Sequence, residues 1–433
     1  MRRKVTLGGV SFVRIQKYTN ETLPPLRNSS DFSLGLDILM MADYSTLQGF
    51  IEISGGDSAT GEIYTLEYLR ALFEQVKVIY DDISVSKRTI HLNMVGAFVA
   101  LREDDCPMFY TLEGSDEELV YNSTFDNSTI GVGFEESNTT ELTLTVAAVE
   151  ALDRFNHWLR AHEQFLPKHD HAILITKYDL LSPRGESATQ GMAYVGNICK
   201  PGDSSSIVED IGAAATALIA AHELGHNLGA FHDGNPEAKD CLSSENFLMS
   251  STVSGSEDYE RFAHSRVMSP CSVKSIEVNL EKPSAQCIKK AVSVTKKQRA
   301  EAEMTRTPGE IIGLRQQCQI AFGPHYGVCP SREYLRGNDL CRRVWCKDRA
   351  QRRTEPCETK TYLPALDGTE CGRTKIRHSC VLQLFMLIRP ASDCVDLNEK
   401  TCRKYSKVKL RHYCKASDFK EICCRSCAQL KDL

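Results

Sequence analysis

Eighteen cysteines are spread unevenly along this chain: Cys106, Cys199, Cys241, Cys271 and Cys287 precede residue 318, and thirteen crowd the stretch from Cys318 to Cys427. A stretch that dense lacks the apolar residues for a large core and has to be held by disulfides. The front is long enough, within 433 residues of 42% hydrophobic content, to bury a core of its own. Charge divides at the same place. Residues 301–433 carry 25 Lys and Arg against 16 Asp and Glu, whereas residues 1–300 carry 27 against 41. In a reducing compartment the crowded cysteines would have to be metal ligands, yet Cys424 and Cys427 form a C-x-x-C with no second pair at a matching distance. These grounds argue against a plain cytosolic enzyme, and an oxidising environment is expected.

The glycosylation sequons agree. Asn20, Asn28, Asn122, Asn127 and Asn138 each begin an Asn-x-Ser/Thr triplet. Together with the cysteines they predict a secreted, extracellular glycoprotein. Met1-Arg-Arg-Lys before Val5–Val13 has the order of a signal peptide, but Thr6, Gly8, Gly9 and Ser11 interrupt the apolar run. Either the sequence begins inside a longer precursor or export uses another segment. No run of 18 apolar residues exists, so no membrane span is expected.

Residues 1–32, with Pro24-Pro25, read as a leader or pro-segment remnant. Beyond them the pattern is α/β. Apolar runs predict strands at Leu34–Ala42, Ile90–Leu101, His171–Tyr178 and Gly191–Cys199. Helical spacing marks Leu66–Ile83, Val146–Leu166 and the small-residue segment Gly212–Phe231, with another helix near Ser272–Leu280. Strands alternating with helices imply a largely parallel sheet. A basic segment over 291–316 reads as a linker open to proteolytic nicking.

Residues 222–233 read His-Glu-Leu-Gly-His-Asn-Leu-Gly-Ala-Phe-His-Asp. On a helix, His222 and His226 project from one face a turn apart, within reach of one metal ion. His232 can join them only if the chain turns sharply, and Gly229 tolerates the positive φ of such a turn. Three neutral imidazoles leave the fourth position of a tetrahedral Zn2+ for water, as in catalytic sites. Glu223, beside the first ligand, is then the general base that takes the proton from that water and delivers it to the leaving amine. The bland alternative, histidines that only cap and pack a helix, does not explain the extended spacing.

The extended H-E-x-x-H-x-x-G-x-x-H with Met249 downstream resembles the metzincin zinc proteases, in which such a Met underlies the metal. The H-D step at Asp233 is similar to the adamalysin/reprolysin branch, so the resemblance implies an α/β metzincin catalytic domain over 33–290. That is a mostly parallel twisted sheet with an active-site helix, followed by small disulfide-rich modules. It further implies a structural role for Asp233, pairing of Cys199 with Cys287 and of Cys241 with Cys271, and a structural Ca2+ helped by Asp37. A salt bridge or a surface carboxylate is the alternative for Asp37. Met192, Ala193, Tyr194 and Val195 correspond to the edge strand that pairs an extended substrate; a mere sheet edge is the alternative. Cys106 is left either to bridge to the C-terminal half or to stay free.

Cys318-Gln-Ile-Ala-Phe-Gly323, Val344-Trp-Cys346, Cys357 and Pro364-Ala-Leu-Asp-Gly-Thr-Glu-Cys-Gly372 resemble the disintegrin-like module of the thrombospondin-motif (ADAMTS) branch, assigned here to 317–385. The segment 390–433, ending Cys423-Cys-Arg-Ser-Cys427, is similar to the small "protease and lacunin" module of that branch. The thrombospondin repeats and spacer are missing between them, as in the salivary reprolysins of blood-feeding arthropods. The resemblance implies a monomeric secreted zinc endopeptidase acting on extracellular proteins such as fibrinogen, fibrin or matrix. No nucleic-acid partner is expected. The cations of Lys400–Arg411 would bind acidic matrix polysaccharide or simply form a solvated face. The competing function is an adhesive or antihaemostatic binding protein acting through its cysteine-rich modules; a membrane-protein sheddase is a third.

Overall fold

A computed structural model describes residues 5–7, 10–12, 33–85, 88–109, 133–135, 143–252, 259–290, 306–330, 341–351, 356–360 and 363–370, together with 402, 409, 410, 414, 426 and 427. The five sequons lie outside these residues, as does most of Lys400–Arg411.

Strand β1 (Ser33–Ala42) is a nearly continuous apolar run and lies inside a seven-stranded, mostly parallel sheet. From Leu36 to Ala42 every residue except Asp37 is buried, the mark of a strand covered on both faces. Helices α1 (Tyr44–Ile53) and α2 (Ser58–Asp81) follow, then the edge strand β2 (Ser84–Val85) and β3 (Arg88–Val99), which runs parallel to β1. Farther along the chain come α3 (Ala148–His162) and β4 (His171–Thr176), parallel to the other side of β1. The short β5 (Gly191–Ala193) pairs antiparallel with β6 (Ser205–Glu209), and β6 runs parallel to β4. That places β5 at the outer edge of the sheet. Phe155 and Leu159 of α3 pack in one cluster with Leu39, Met41 and Leu174, so alternation turns Ile38 and Met40 to the opposite side, where α2 and α4 (Ala213–Leu228) pack.

Several boundaries depart from the sequence reading. Helix α1 is unforeseen: it starts at the end of β1, where the Asp43 carboxylate caps it by accepting from the Thr46 amide at 2.9 Å. Strand β6, with two serines in five residues, gives no apolar run. Gly191–Cys199 is regular only as far as Ala193, because Gly196, at φ +75°, turns the chain toward the end of α4. The segment Val146–Leu166 divides into a strand at Thr143–Ala147 and α3.

Beyond α5 (Tyr259–His264) and α6 (Pro270–Leu280), the end of the segment read as a linker is instead helical, with α7 (Pro308–Ile311) and then α8 (Leu314–Phe322), which runs on into the cysteine-rich module. A hairpin of β7 (Tyr326–Val328) and β8 (Cys346–Asp348) follows. Disulfides join Cys318 to Cys346 and Cys329 to Cys357 around a small core containing Val344 and Leu363. Cys106 is free and buried among apolar side chains. Residues from Val381 to Leu433 form a separate compact unit, in which Cys414 is bonded to Cys427.

Candidate metal and catalytic centre

Helix α4 is buried along its whole length, which its run of alanines permits by letting neighbours approach on all sides. Its start has no side-chain cap at Gly212; instead the Gly212 amide donates to Thr216 Oγ1, which donates in turn to Asp210 Oδ1. Its end is a Schellman turn: the Gly229 amide donates to the His226 carbonyl and the Ala230 amide to the Gly225 carbonyl, with Gly229 at φ +117°. Other orphan carbonyls of the last turn are also met. The Asn227 carbonyl accepts from the Ile198 amide, and that of Leu228 from the Asn279 side chain at 2.9 Å.

That turn carries His232 back to the helix. The Nε2 atoms of His222, His226 and His232 stand 3.0, 3.0 and 3.1 Å apart in a closed triangle. The Nδ1–H of His222 donates to the Leu248 carbonyl at 2.6 Å and that of His226 to the Ala230 carbonyl at 2.9 Å. A carbonyl only accepts, so both rings are fixed with their Nε2 lone pairs facing inward. Burial, with the neighbouring imidazoles, pushes His222 well below its usual pKa and His226 down to about 4; burial also lowers His232. Neutral rings whose nitrogens face one another at this range have no proton to share between His222 and His226. A cation satisfies all three, and zinc, with Zn–N of about 2.0–2.1 Å, fits a triangle of this size. Among the described residues, this is the only group of three or more His, Cys, Asp or Glu placed to hold a metal ion.

Glu223 is buried, which pushes its carboxyl up to about 8. A Cβ at Gly191, on the edge strand, would meet Glu223 Oε1 at 2.6 Å, so the Glu223 side chain and the strand are in contact. Met249 is fully buried beside α4, its sulfur filling the space left by Gly225, where a Cβ would come within 2.6 Å. The Asp233 amide donates to the Met249 carbonyl, and its Oδ1 accepts from Ser269 Oγ at 2.6 Å. Ser269 caps α6, so Asp233 ties the segment that carries His232 to that helix. Ala193 ends β5; Met192 and Tyr194 pack toward α3, with the Tyr194 hydroxyl donating to Asp153, and Val195 is exposed in the turn. Cys199 is bonded to Cys287 and Cys241 to Cys271. Asp37 is not part of the histidine group: its Oδ1 accepts from the Asn93 side chain, and its amide donates to Asp170.

Two asparagines gave no signal in the sequence. Asn227 donates to the Tyr194 carbonyl and accepts from Ser204 Oγ, while the Gly196 amide donates to the His226 carbonyl, so the edge segment is laced to α4. Asn279, on α6, lies where a Cβ at Gly229 would meet it at 2.5 Å.

Residues 120–291 match the model of the Reprolysin (M12B) family zinc metalloproteases, and residues 308–381 match that of ADAMTS cysteine-rich domain 2. A disintegrin and metalloproteinase with thrombospondin motifs 18 from Homo sapiens is 34% identical over 206 residues, 47% of this chain and 15% of the relative. A disintegrin and metalloproteinase with thrombospondin motifs 1 from Rattus norvegicus is 32% identical over 251 residues, 56% of this chain and 23% of the relative. The chain therefore spans between about a seventh and a quarter of the length of these relatives. Among solved structures, archaemetzincin from Methanopyrus kandleri covers 59% of this chain and 100% of its own, at 14% identity and a TM-score of 0.30.

Proposed function

We propose that this chain, a metzincin of the reprolysin and ADAMTS type, is a secreted zinc endopeptidase that cleaves extracellular proteins. The observation that carries the reading is the closed triangle of neutral imidazole nitrogens with a buried carboxylate on the adjoining residue. His222, His226 and His232 would hold the metal, which supplies Lewis acidity to the scissile carbonyl and to the attacking water. Glu223 takes the proton from that water and returns it to the leaving amine nitrogen. Its burial keeps bulk water from competing for that proton. The edge position of β5, unpaired on its outer side among the described residues, supports backbone pairing with an extended substrate beside Glu223.

Secretion is supported by the five sequons and the disulfides, and no helix among the described residues is long and apolar enough to cross a membrane. Fibrinogen and matrix proteins are the substrate class we favour. The test is hydrolysis of fibrinogen, gelatin and a broad quenched peptide library by zinc-loaded protein, with and without o-phenanthroline, beside Glu223→Ala. Chelator-sensitive cleavage that the variant lacks is expected. A zinc-loaded protein that cuts nothing in the library overturns the enzymatic reading and leaves the adhesive one.

A further inference from the structure

The cysteine-rich module places a carboxylate deep in the catalytic domain. Asp367, in the Ala-Leu-Asp-Gly-Thr segment, is 3% exposed. Its Oδ1 accepts from Arg266 Nη1 at 2.8 Å, and its Oδ2 accepts from Gln75 Nε2 at 2.9 Å and from Arg266 Nη2. The Asp367 amide donates back to Gln75 Oε1 at 2.8 Å, and its carbonyl accepts from the Gly309 amide. One residue of the module therefore grips α2 and the turn before α6 together. A bidentate guanidinium pair with this little solvent has a fixed geometry, unlike a surface ion pair.

Both gripped elements lead to the same histidine. The carbonyl of Val267, next to Arg266, accepts from the Leu248 amide at 2.9 Å, and the Leu248 carbonyl accepts from His222 Nδ1 at 2.6 Å. On the other arm, Tyr80 of α2 donates from its hydroxyl to the carbonyl of Ala221, immediately before His222, at 2.9 Å. Met268, two residues beyond Arg266, touches the helix beside Gly225. We propose that Asp367 is a positioning residue for the metal site, holding Arg266 and Gln75 so that the Leu248 carbonyl fixes the ring of His222. The cysteine-rich module is on this account part of what shapes the ligand set, in addition to anything it does in choosing substrates. The proposal rests on the zinc-site reading above.

Asp367→Asn and Asp367→Ala in the full chain test it. Each is compared with wild type for zinc affinity by chelator competition and, without metal, for hydrogen-exchange protection of the Leu248 amide. Partners that orient a ligand histidine change metal affinity by about 10- to 100-fold, and Asp367 acts one contact farther out, so about a 10-fold weaker affinity is expected for the alanine variant, with a smaller loss for asparagine. Faster Leu248 exchange should accompany it, and Arg266→Ala should add little to the loss in the double variant. Unchanged zinc affinity and Leu248 protection in a folded variant overturn the proposal, even if the melting temperature falls, since a tether between modules lowers stability alone. If the alanine variant does not fold, the asparagine variant decides on the same readings. If wild type binds no zinc, the zinc reading fails, and Leu248 protection still decides whether Asp367 reaches that carbonyl.

Discussion

Glu223 and Gly191 are in direct contact: a Cβ built on Gly191 would lie 2.6 Å from Glu223 Oε1 and 2.8 Å from its Cγ. The Glu223 carboxyl and the edge of the sheet therefore share one space, and either the strand or the side chain has to move if that space is filled. Gly191→Ala is expected to lower kcat about 100-fold, the effect of displacing a catalytic group by roughly 1 Å. Bound zinc should stay near wild type because no histidine is touched. Turnover within a few-fold of wild type, measured beside metal content, would refute the contact as a constraint.

Gly229→Ala tests the turn that returns His232. The position combines φ +117° with a Cβ 2.5 Å from Asn279 Cβ. Backbone strain and overpacking together should cost about 2–4 kcal/mol. Urea unfolding should report the loss, and chelator competition should show weaker zinc binding. Asn279→Ala, which leaves the Leu228 carbonyl without its side-chain donor and opens room beside residue 229, should relieve part of the clash in the double variant.

His171 should govern part of the acid limb of stability. It is fully buried between the hydroxyls of Ser204 and Ser206, and burial lowers its pKa to about 3. The unfolded chain takes up the proton near pH 6.5 while the folded one does not, so this group's contribution is complete above 6.5 and is lost as pH falls toward 3. The full loss is on the order of 3–5 kcal/mol. His171→Gln, followed by urea unfolding between pH 4 and 8, should flatten the limb relative to wild type; parallel slopes would count against the assignment.

Metal removal should destabilise the protein in a graded way. Binding to the folded state alone adds about 2.7 kcal/mol when free zinc is about 100 times its Kd. Thermal unfolding in zinc-buffered solutions should show a rising Tm for wild type and none for His226→Ala. A wild-type Tm independent of zinc would remove the triangle as a metal site.

Helix α4 was legible because its information is local. His222 and His226 share a face by helical period, and Gly229 supplies a backbone conformation that its neighbours cannot, so adjacent residues encode both the helix and its turn. The buried strand β1 was legible for the same reason, as an almost unbroken apolar run. Helix α1 and strand β6 were not: one depends on Asp43 capping at a strand end, the other on partners that bury its serines.

Sequence by itself determined which histidines could meet, that Glu223 adjoins the first of them, the turn at Gly229 and the need for disulfides in the second half. The tertiary structure alone decided that Gly191 leaves room for Glu223, that Ile198 and Asn279 meet the last carbonyls of α4, and that Asp367 closes on Gln75 and Arg266. Each of these joins residues distant in the chain. No periodicity or spacing records such a pair, because it exists only once the sheet and the module have brought their elements together.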